Sequence, residues 1–249
     1  MRYLLRFSYD GTNYKGYQIQ PGYNTVQQQI EDAVFKVNNN IKRSVHSSGR
    51  TDKGVHAINQ YAHVDLDISI TPQKLKRALN SNLPDDIYIK QVYSIDDKFH
   101  ARYNVIEKEY KYFLNMGEYN PMERNYVYQY NYTLDVGAMR KAIKVFLGEH
   151  DFRAFVTDSK NKANCIRTIN NVSIENVDLE KIVFTFRGNG FLRYQVRNMV
   201  GILLQVGQGK MNAEDVHRIL LSKDRSTMGK TAPADGLYLV DVKYDTVFK

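Results

Sequence analysis

The chain has 249 residues, 43% of them hydrophobic, which suffices for one large domain or two small ones with a full core. Lysine and arginine outnumber aspartate and glutamate by 35 to 27, and the net charge of +8 favours a polyanionic partner such as nucleic acid. The single cysteine, Cys165, excludes an internal disulfide, and because no run approaches the ~20 apolar residues of a membrane span, we expect a soluble, cytoplasmic protein without a membrane partner.

The first half has the order strand, helix, strand, strand, helix, strand. Alternating apolar and polar residues predict strands over 2–9, 41–47, 58–67 and 87–95, and helical periodicity predicts helices over 25–37 and 72–83. The helix starts carry the expected signals, because Asn24 or Thr25 can cap the first helix and Pro72 occupies the first turn of the second.

The second half repeats that order. Its strands are predicted over 107–115, 169–177, 182–187 and 236–244, its helices over 135–147, 191–206 and 213–221, and its inserted linkers over 119–132 and 154–167. This order predicts an α+β fold in which two tandem ferredoxin-like (split βαβ) units join into one broad, mostly antiparallel sheet. We expect an N-terminal unit over 1–105 that carries the aspartate loop and a C-terminal unit over 106–249 with inserted loops.

The loop over 47–57 (SSGRTDKGVHA) is the strongest chemical signal in the chain. It lies between two predicted strands, and its two glycines allow backbone conformations closed to other residues. The neighbouring cations Arg50 and Lys53 would keep Asp52 ionised and available as a nucleophile or base. Aspartate and glycine are also ordinary turn residues, so this loop alone is compatible with catalysis and with a structural turn.

Two basic and aromatic runs, 99–103 (FHARY) and 108–112 (KEYKY), could contact RNA or could be solvated strand faces. A third run, 187–194 (RGNGFLRY), imitates the signature of the RNA recognition motif, but its helical spacing places it at a strand-to-helix junction, and we interpret the match as accidental. The six histidines lack metal-ligand spacing and the glycine pairs lack a complete phosphate loop, so we predict no metal and no cofactor.

Several motifs in register resemble the tRNA pseudouridine synthase I family, also called TruA, over the whole chain. The loop at 48–57 is similar to the catalytic motif of that family. Further similarities lie at 9–16, 99–102, 196–201 and 235–240, and in the strand that contains Tyr110. The resemblance implies the pseudouridine synthase fold, a homodimer and tRNA as partner. One departure is Tyr17, which stands where the family usually has tryptophan.

The resemblance also implies roles for individual residues. Asp52 corresponds to the catalytic nucleophile, Arg50 to the residue that assists base flipping, and Tyr110 to the ring that packs on the target uracil. Arg197 corresponds to the basic residue that pairs with the catalytic carboxylate. Two segments correspond to tRNA contacts, and their residues are Phe99, His100, Ala101, Arg102, Tyr103, Asp158, Ser159, Lys160, Asn161 and Lys162.

The implied reaction isomerises uridine to pseudouridine at positions 38, 39 and 40 of the tRNA anticodon stem-loop. It needs no cofactor, because it involves no net redox change and no group transfer. Two alternatives stay open at this point. One is a non-catalytic RNA-binding module, which explains the charge and the aromatic residues but not the loop that contains Arg50 and Asp52. The other is a paralogue that acts on other RNA uridines. A cofactor-dependent enzyme is disfavoured by the missing phosphate loop and metal cage.

Overall fold

A computed structural model describes residues 1–156, 164–246 and 248. The chain divides into two compact units: unit 1 comprises Met1–Ile106 with the C-terminal segment from Tyr238, and unit 2 comprises Glu107–Leu237. Each unit combines β-strands with helices, which confirms the predicted α+β class. No helix in the described residues has both the length and the apolar character required to cross a bilayer.

Unit 1 is built on an antiparallel sheet. Its strands are β1 (Arg2–Tyr9), β2 (His46–Ser47), β3 (His56–Asp65), β4 (Ile87–Ile95) and the last strand β10 (Leu237–Tyr244), and its helices are α1 (Val26–Val37) and α2 (Pro72–Asn80). The strands β4, β1 and β3 are neighbours in that order, and β2 pairs with β3, as in a ferredoxin-like unit. The start of β3 also pairs in parallel with β10.

The central strand β1 shows how the residue pattern produces this sheet. Its alternate residues Leu5 and Phe7 are fully buried on one face, while Arg6 between them points to the other face and is half-buried. Helix α2 packs on β4 and buries Leu75 and Leu79, which lie one helical turn apart. The apolar residues of strand and helix therefore share one core.

Unit 2 is also built on antiparallel strand pairs. Its strands are β5 (Val105–Asn115), β6 (Tyr128–Gln129), β7 (Gly148–Asp151), β8 (Ile166–Asn176) and β9 (Lys181–Gly188), and its α-helices are α3 (Val136–Ala142), α4 (Gln195–Gly207) and α5 (Ala213–Ser222). Short 3-10 turns occupy Ile143–Phe146, Arg153–Phe155 and Arg225–Thr227. The order of the sheet is β5, β9, β8, β7, and β6 pairs in parallel with β5.

Most predicted elements occur where the sequence places them, and β1 and β4 have the predicted limits. The predicted strand over 41–47 is wrong in its first five residues. In residues 41–45, contacts with side chains elsewhere in unit 1 replace pairing with a neighbouring strand. The Glu31 carboxylate accepts the Val45 N–H at 2.9 Å, and Arg43 pairs with Asp67. The helix predicted over 135–147 ends as a 3-10 turn, and the short strands β6 and β7 were not predicted.

Candidate active site

The loop between β2 and β3 presents Asp52, as the sequence predicts. The Asp52 side chain is half-buried, whereas Arg50 and Lys53 beside it are exposed. The Val55 N–H donates to the Asp52 carbonyl oxygen at 3.2 Å, and Gly54 follows the turn with a φ of 78°. A side chain at Gly54 would disfavour that conformation, so the glycine is what allows the chain to turn so tightly after the carboxylate.

Thr51 anchors this loop to the body of unit 1. Its hydroxyl lies 2.8 Å from the Tyr9 hydroxyl, and its carbonyl oxygen accepts the Tyr17 N–H at 3.1 Å. Burial raises the pKa of Tyr9 to about 12, so this phenol keeps its proton at neutral pH. Because Thr51 is itself only 8% exposed and directly precedes Asp52, these contacts restrict where the Asp52 backbone can lie.

Two glycines in the segment 9–16 let its backbone approach the loop closely. A Cβ atom at Gly11 would lie 2.1 Å from the Val55 carbonyl oxygen. At Gly16, where φ is 104°, a Cβ atom would lie 2.9 Å from the Thr51 carbonyl oxygen. The segment therefore supports the loop directly, and the glycine spacing was the available sequence signal for that role.

The beginning of the loop is fixed by a buried amide. Gln60 on β3 is fully buried, and its Nε2 donates to the Gly49 carbonyl oxygen at 3.0 Å. The Ser48 hydroxyl donates to the Gln60 Oε1 at 2.5 Å, and the Ser48 N–H donates to the Tyr61 carbonyl oxygen at 2.7 Å. Arg50, the next residue after Gly49, is thus an exposed side chain on a held backbone.

A cavity of about 190 Å³ opens beside Arg50 in unit 1. His46, His100, Arg102 and Tyr103 contribute to its lining together with Arg50. The structure therefore brings Arg50 together with three of the predicted tRNA-contact residues. Cations and an exposed aromatic ring around one hollow are suited to phosphate and base groups of a nucleic acid.

Three histidine rings pack against one another next to this cavity. The ring centroids of His46 and His63 are 5.0 Å apart, and those of His63 and His100 are 4.6 Å apart. Burial, together with the neighbouring histidines and an arginine, lowers the pKa of His63 to about 4. Its neutral Nδ1 accepts the Ala101 N–H at 3.2 Å. No functional role was predicted for His63 from the sequence, because this bond depends on long-range pairing.

The predicted tRNA-contact segment Phe99 to Tyr103 has alternating exposure. Phe99 and Ala101 are buried, and the Phe99 ring packs edge-on against Tyr244 at 5.1 Å. The Tyr244 hydroxyl donates to the Ala101 carbonyl oxygen at 2.7 Å. Arg102 and Tyr103 are exposed, Tyr103 by 77%. The buried residues hold the segment, and the others present side chains at the surface.

In unit 2, Tyr110 lies on β5 and is 8% exposed, with its ring edge-on to Phe191 at 5.1 Å. Arg197 lies in the first turn of α4, where its Nε donates to the Ala232 carbonyl oxygen at 2.8 Å and its guanidinium carbon lies 5.2 Å from the Tyr194 ring centroid. Tyr194 has a φ of 63°, and the helix predicted over 191–206 begins only after it.

The remaining predicted contact residues, Asp158, Ser159, Lys160, Asn161 and Lys162, lie outside the described residues. Over the ranges 1–156 and 164–246, no group of three or more histidine, cysteine, aspartate or glutamate side chains is placed to hold a metal ion.

A carboxylate on a loop that a sheet and a glycine-rich segment hold in place, next to an exposed arginine, is typical of enzymes in which the carboxylate reacts. The α+β units, the net positive charge and the basic, aromatic cavity are typical of enzymes that act on nucleic acid.

Comparison with known proteins gives the family. The model of a family described as tRNA pseudouridine synthase matches residues 6–104 and 142–245, and the chain belongs to the tRNA pseudouridine synthase family. The tRNA pseudouridine synthase A of Limosilactobacillus reuteri (strain DSM 20016) is 45% identical over 249 residues, which cover 98% of this chain and 97% of the relative. The resemblance inferred from the motifs is thereby confirmed.

Two further relatives show the same extent of similarity. The tRNA pseudouridine synthase A 1 of Bacillus cereus (strain ATCC 14579) is 45% identical over 239 residues, covering 96% of each chain. The tRNA pseudouridine synthase A of Streptococcus mutans serotype c is 42% identical over 247 residues, covering 98% of this chain and 99% of the relative. The similarity therefore spans both units.

Proposed function

We propose that this chain isomerises uridine to pseudouridine at positions 38, 39 and 40 of the tRNA anticodon stem-loop, with Asp52 as the catalytic carboxylate. The family supplies the reaction and the substrate class. The observation that carries the role of Asp52 is its loop, in which the Thr51 backbone and hydroxyl are bound while Asp52 stays half-buried beside an exposed arginine. A reacting carboxylate needs this combination of a fixed position and access to substrate.

The reaction replaces a carbon–nitrogen bond with a carbon–carbon bond inside one nucleotide. The bond between uracil N1 and ribose C1′ breaks, the base turns, and a bond forms between C5 and C1′. C5 loses a proton and N1 gains one, so the composition of the nucleotide is unchanged. Asp52 forms a covalent adduct with the target nucleotide or stabilises the separated intermediate by its charge.

Arg50 is the proposed base-flipping residue. The target uridine lies in a stacked stem-loop, and extruding a base costs a few kcal/mol. Arg50 is exposed and borders the cavity that also contains His100 and Arg102. Its planar guanidinium can therefore occupy the position that the extruded base leaves, while the held loop backbone stays in place.

We expect Arg50→Ala to lower the single-turnover rate about 100-fold, which corresponds to a few kcal/mol of lost assistance to flipping. The dissociation constant for tRNA should change much less, and this can be measured by filter binding. Arg50→Lys keeps the charge but loses the planar group, so it should recover the affinity and only part of the rate. A variant whose sole defect is weaker tRNA binding would contradict the flipping role.

The resemblance assigns two residues of unit 2. We propose that Tyr110 packs on the target uracil and that Arg197 is the basic partner of the catalytic carboxylate. The fixed surroundings of both side chains support these roles, since Phe191 contacts the Tyr110 ring and the Ala232 carbonyl oxygen holds the Arg197 guanidinium. The segments that contain Phe99 to Tyr103 and Asp158 to Lys162 are proposed as tRNA contacts on the same basis.

A tritium-release assay on tRNA with C5-labelled uridine tests the proposed function. The enzyme should release tritium from anticodon stem-loops whose only labelled uridine is at position 38, 39 or 40, and none from a stem-loop labelled elsewhere. No release from any tRNA that the protein binds would support a non-catalytic RNA-binding module. Release from other positions would identify a paralogue with a different target.

We infer that the enzyme works in the cytoplasm as a homodimer. A tRNA substrate and a single, buried cysteine are consistent with a reducing compartment, and the homodimer follows from the family resemblance. Light scattering of the purified protein should give the mass of two chains, and the mass of one chain would overturn the dimer.

A further inference from the structure

Two cations of unit 1 share one neutral acceptor. The Arg6 Nε donates to the Asn59 Oδ1 at 3.0 Å, and the Lys90 Nζ donates to the same oxygen at 3.1 Å. Lys90 also donates to the Ile58 carbonyl oxygen at 3.0 Å. Among the described residues, neither Arg6 nor Lys90 forms an ion pair with a carboxylate. Like charges thus lie close together, with no described carboxylate within ion-pair distance of either.

Irregularities on both sides of β1 produce this arrangement. Where β1 pairs with β4, Lys90 is an extra residue between two matched pairs. Where β1 pairs with β3, residues 58–59 stand opposite Ser8 alone. Such β-bulges redirect side chains and are frequent near functional sites. Here they turn Lys90 and Asn59 toward Arg6 from the two neighbouring strands.

Asn59 holds the two cations without cancelling their charge. Its Nδ2 donates to the Val240 carbonyl oxygen at 3.0 Å, which orients the amide with Oδ1 toward the cations. Within the part of the chain that the structure describes, the Arg6 terminal nitrogens and one Lys90 hydrogen are left for a further acceptor. Burial and the charge of Arg6 lower the pKa of Lys90, with Asp241 acting in the opposite direction, as expected for a cation whose surroundings lack sufficient negative charge.

We propose that Arg6 and Lys90 form a binding site for a phosphate group of the RNA substrate. The proposal rests on the proposed function, because RNA is the polyanion that the enzyme would hold. A phosphate can accept hydrogen bonds from both cations at once, and both are partly accessible to solvent. Arg6 lies three residues, about 10 Å, before Tyr9, which anchors the Asp52 loop. An RNA strand bound at that loop can therefore reach this site.

The salt dependence of tRNA binding tests the site. Each phosphate contact adds about 0.7–0.9 to the slope of log affinity against log salt concentration. We expect Lys90→Gln and Arg6→Gln each to reduce that slope by about this amount and to weaken binding several-fold at low salt. Lys90→Arg keeps the charge and should therefore retain the wild-type slope and affinity. Lys74→Gln, which removes an exposed charge from α2, should leave the slope unchanged. An unchanged slope in both glutamine variants would overturn the proposal.

Turnover at saturating tRNA separates this site from the proposed function. Neither residue is expected to touch the reacting atoms, so the variants should keep the wild-type rate once tRNA is saturating. No pseudouridine formation by the wild type would refute the proposed function, whereas normal turnover with unaltered slopes in the variants would refute only the phosphate site. A change of oligomeric state without a change of slope would place the two cations in a protein interface and also overturn the proposal. If one glutamine variant fails to fold, the other decides, and an unchanged slope in the variant that folds would overturn the proposal.

Discussion

Thr51 fixes the position of its neighbour Asp52. The Tyr9 hydroxyl and the Tyr17 N–H bind the side chain and the backbone of Thr51, respectively. Arg50, on the other side of Thr51, is exposed and borders a cavity. Of these three successive residues, Thr51 is held in place, Asp52 is partly shielded from water, and Arg50 is exposed to solvent.

His63 makes the stability of unit 1 depend on pH. Its pKa is lowered by burial to about 4, below the usual value of 6.5, so the unfolded chain binds a proton that the folded protein does not. The contribution of His63 to stability should therefore be constant above about pH 6.5 and fall as the pH drops toward 4, by on the order of 1–2 kcal/mol after allowing for screening.

Urea unfolding between these pH values measures this effect. His63→Gln should reduce the dependence of the unfolding free energy on pH, because the titrating ring is gone. His217→Gln, at an exposed position on α5, is the matched control and should leave it unchanged. The same pH dependence in wild type and His63→Gln would show that His63 is not the group responsible.

Among the elements, the segment 9–16 shows how support for the loop depends on backbone contact. Gly16 and Gly22 both have positive φ, but only Gly16 lies against the loop, since a Cβ at Gly22 would meet nothing within 4 Å. We expect both alanine variants to lose about 1–2 kcal/mol of stability from the strained backbone. Gly16→Ala should in addition displace the Thr51 carbonyl group and lower kcat about 100-fold.

Parallel measurements of kcat and thermal unfolding on Gly16→Ala and Gly22→Ala separate strain from displacement. Gly22→Ala should retain wild-type turnover at temperatures where it is folded. Equal loss of activity in the two variants would contradict a direct role of the segment in positioning the loop.

The elements that were predicted well are marked by residue patterns within the element or directly next to it. Helix α1 begins where Thr25 caps it, with its side chain accepting the Gln28 N–H, and β1 has the alternation that marks a half-buried strand. The strand predicted over residues 41–45 is wrong because side chains such as Glu31 compete for the backbone groups of these residues, and no local pattern reveals that competition.

The candidate site also contains features that the sequence predicts and features that it does not. Asp52 and Arg50 were identified because the loop motif is contiguous in the chain. The bond between Tyr9 and Thr51 and the bond between His63 and Ala101 join residues about forty positions apart, so they depend on strand register. Sequence periodicity does not specify that register for a single polar pair.

For the whole molecule, the net charge of +8 sets the expected response to salt. If several phosphates are contacted, the affinity for tRNA should fall 10-fold or more between about 50 and 200 mM salt, because bound counter-ions are released. Fluorescence anisotropy with labelled tRNA measures this fall, and a neutral osmolyte at equal osmolality is the control. An affinity that is independent of salt would contradict an extended basic RNA-binding surface.

The central claim concerns Asp52, and tritium release by Asp52→Asn tests it most directly. Asparagine keeps the size of the side chain and removes its charge, so the pseudouridine-forming rate should fall at least about 1,000-fold while tRNA still binds. Asp85→Asn, at an exposed position in unit 1, is the matched control and should retain wild-type turnover. Turnover near the wild-type rate by purified, folded Asp52→Asn would contradict the assignment of Asp52 as the catalytic carboxylate.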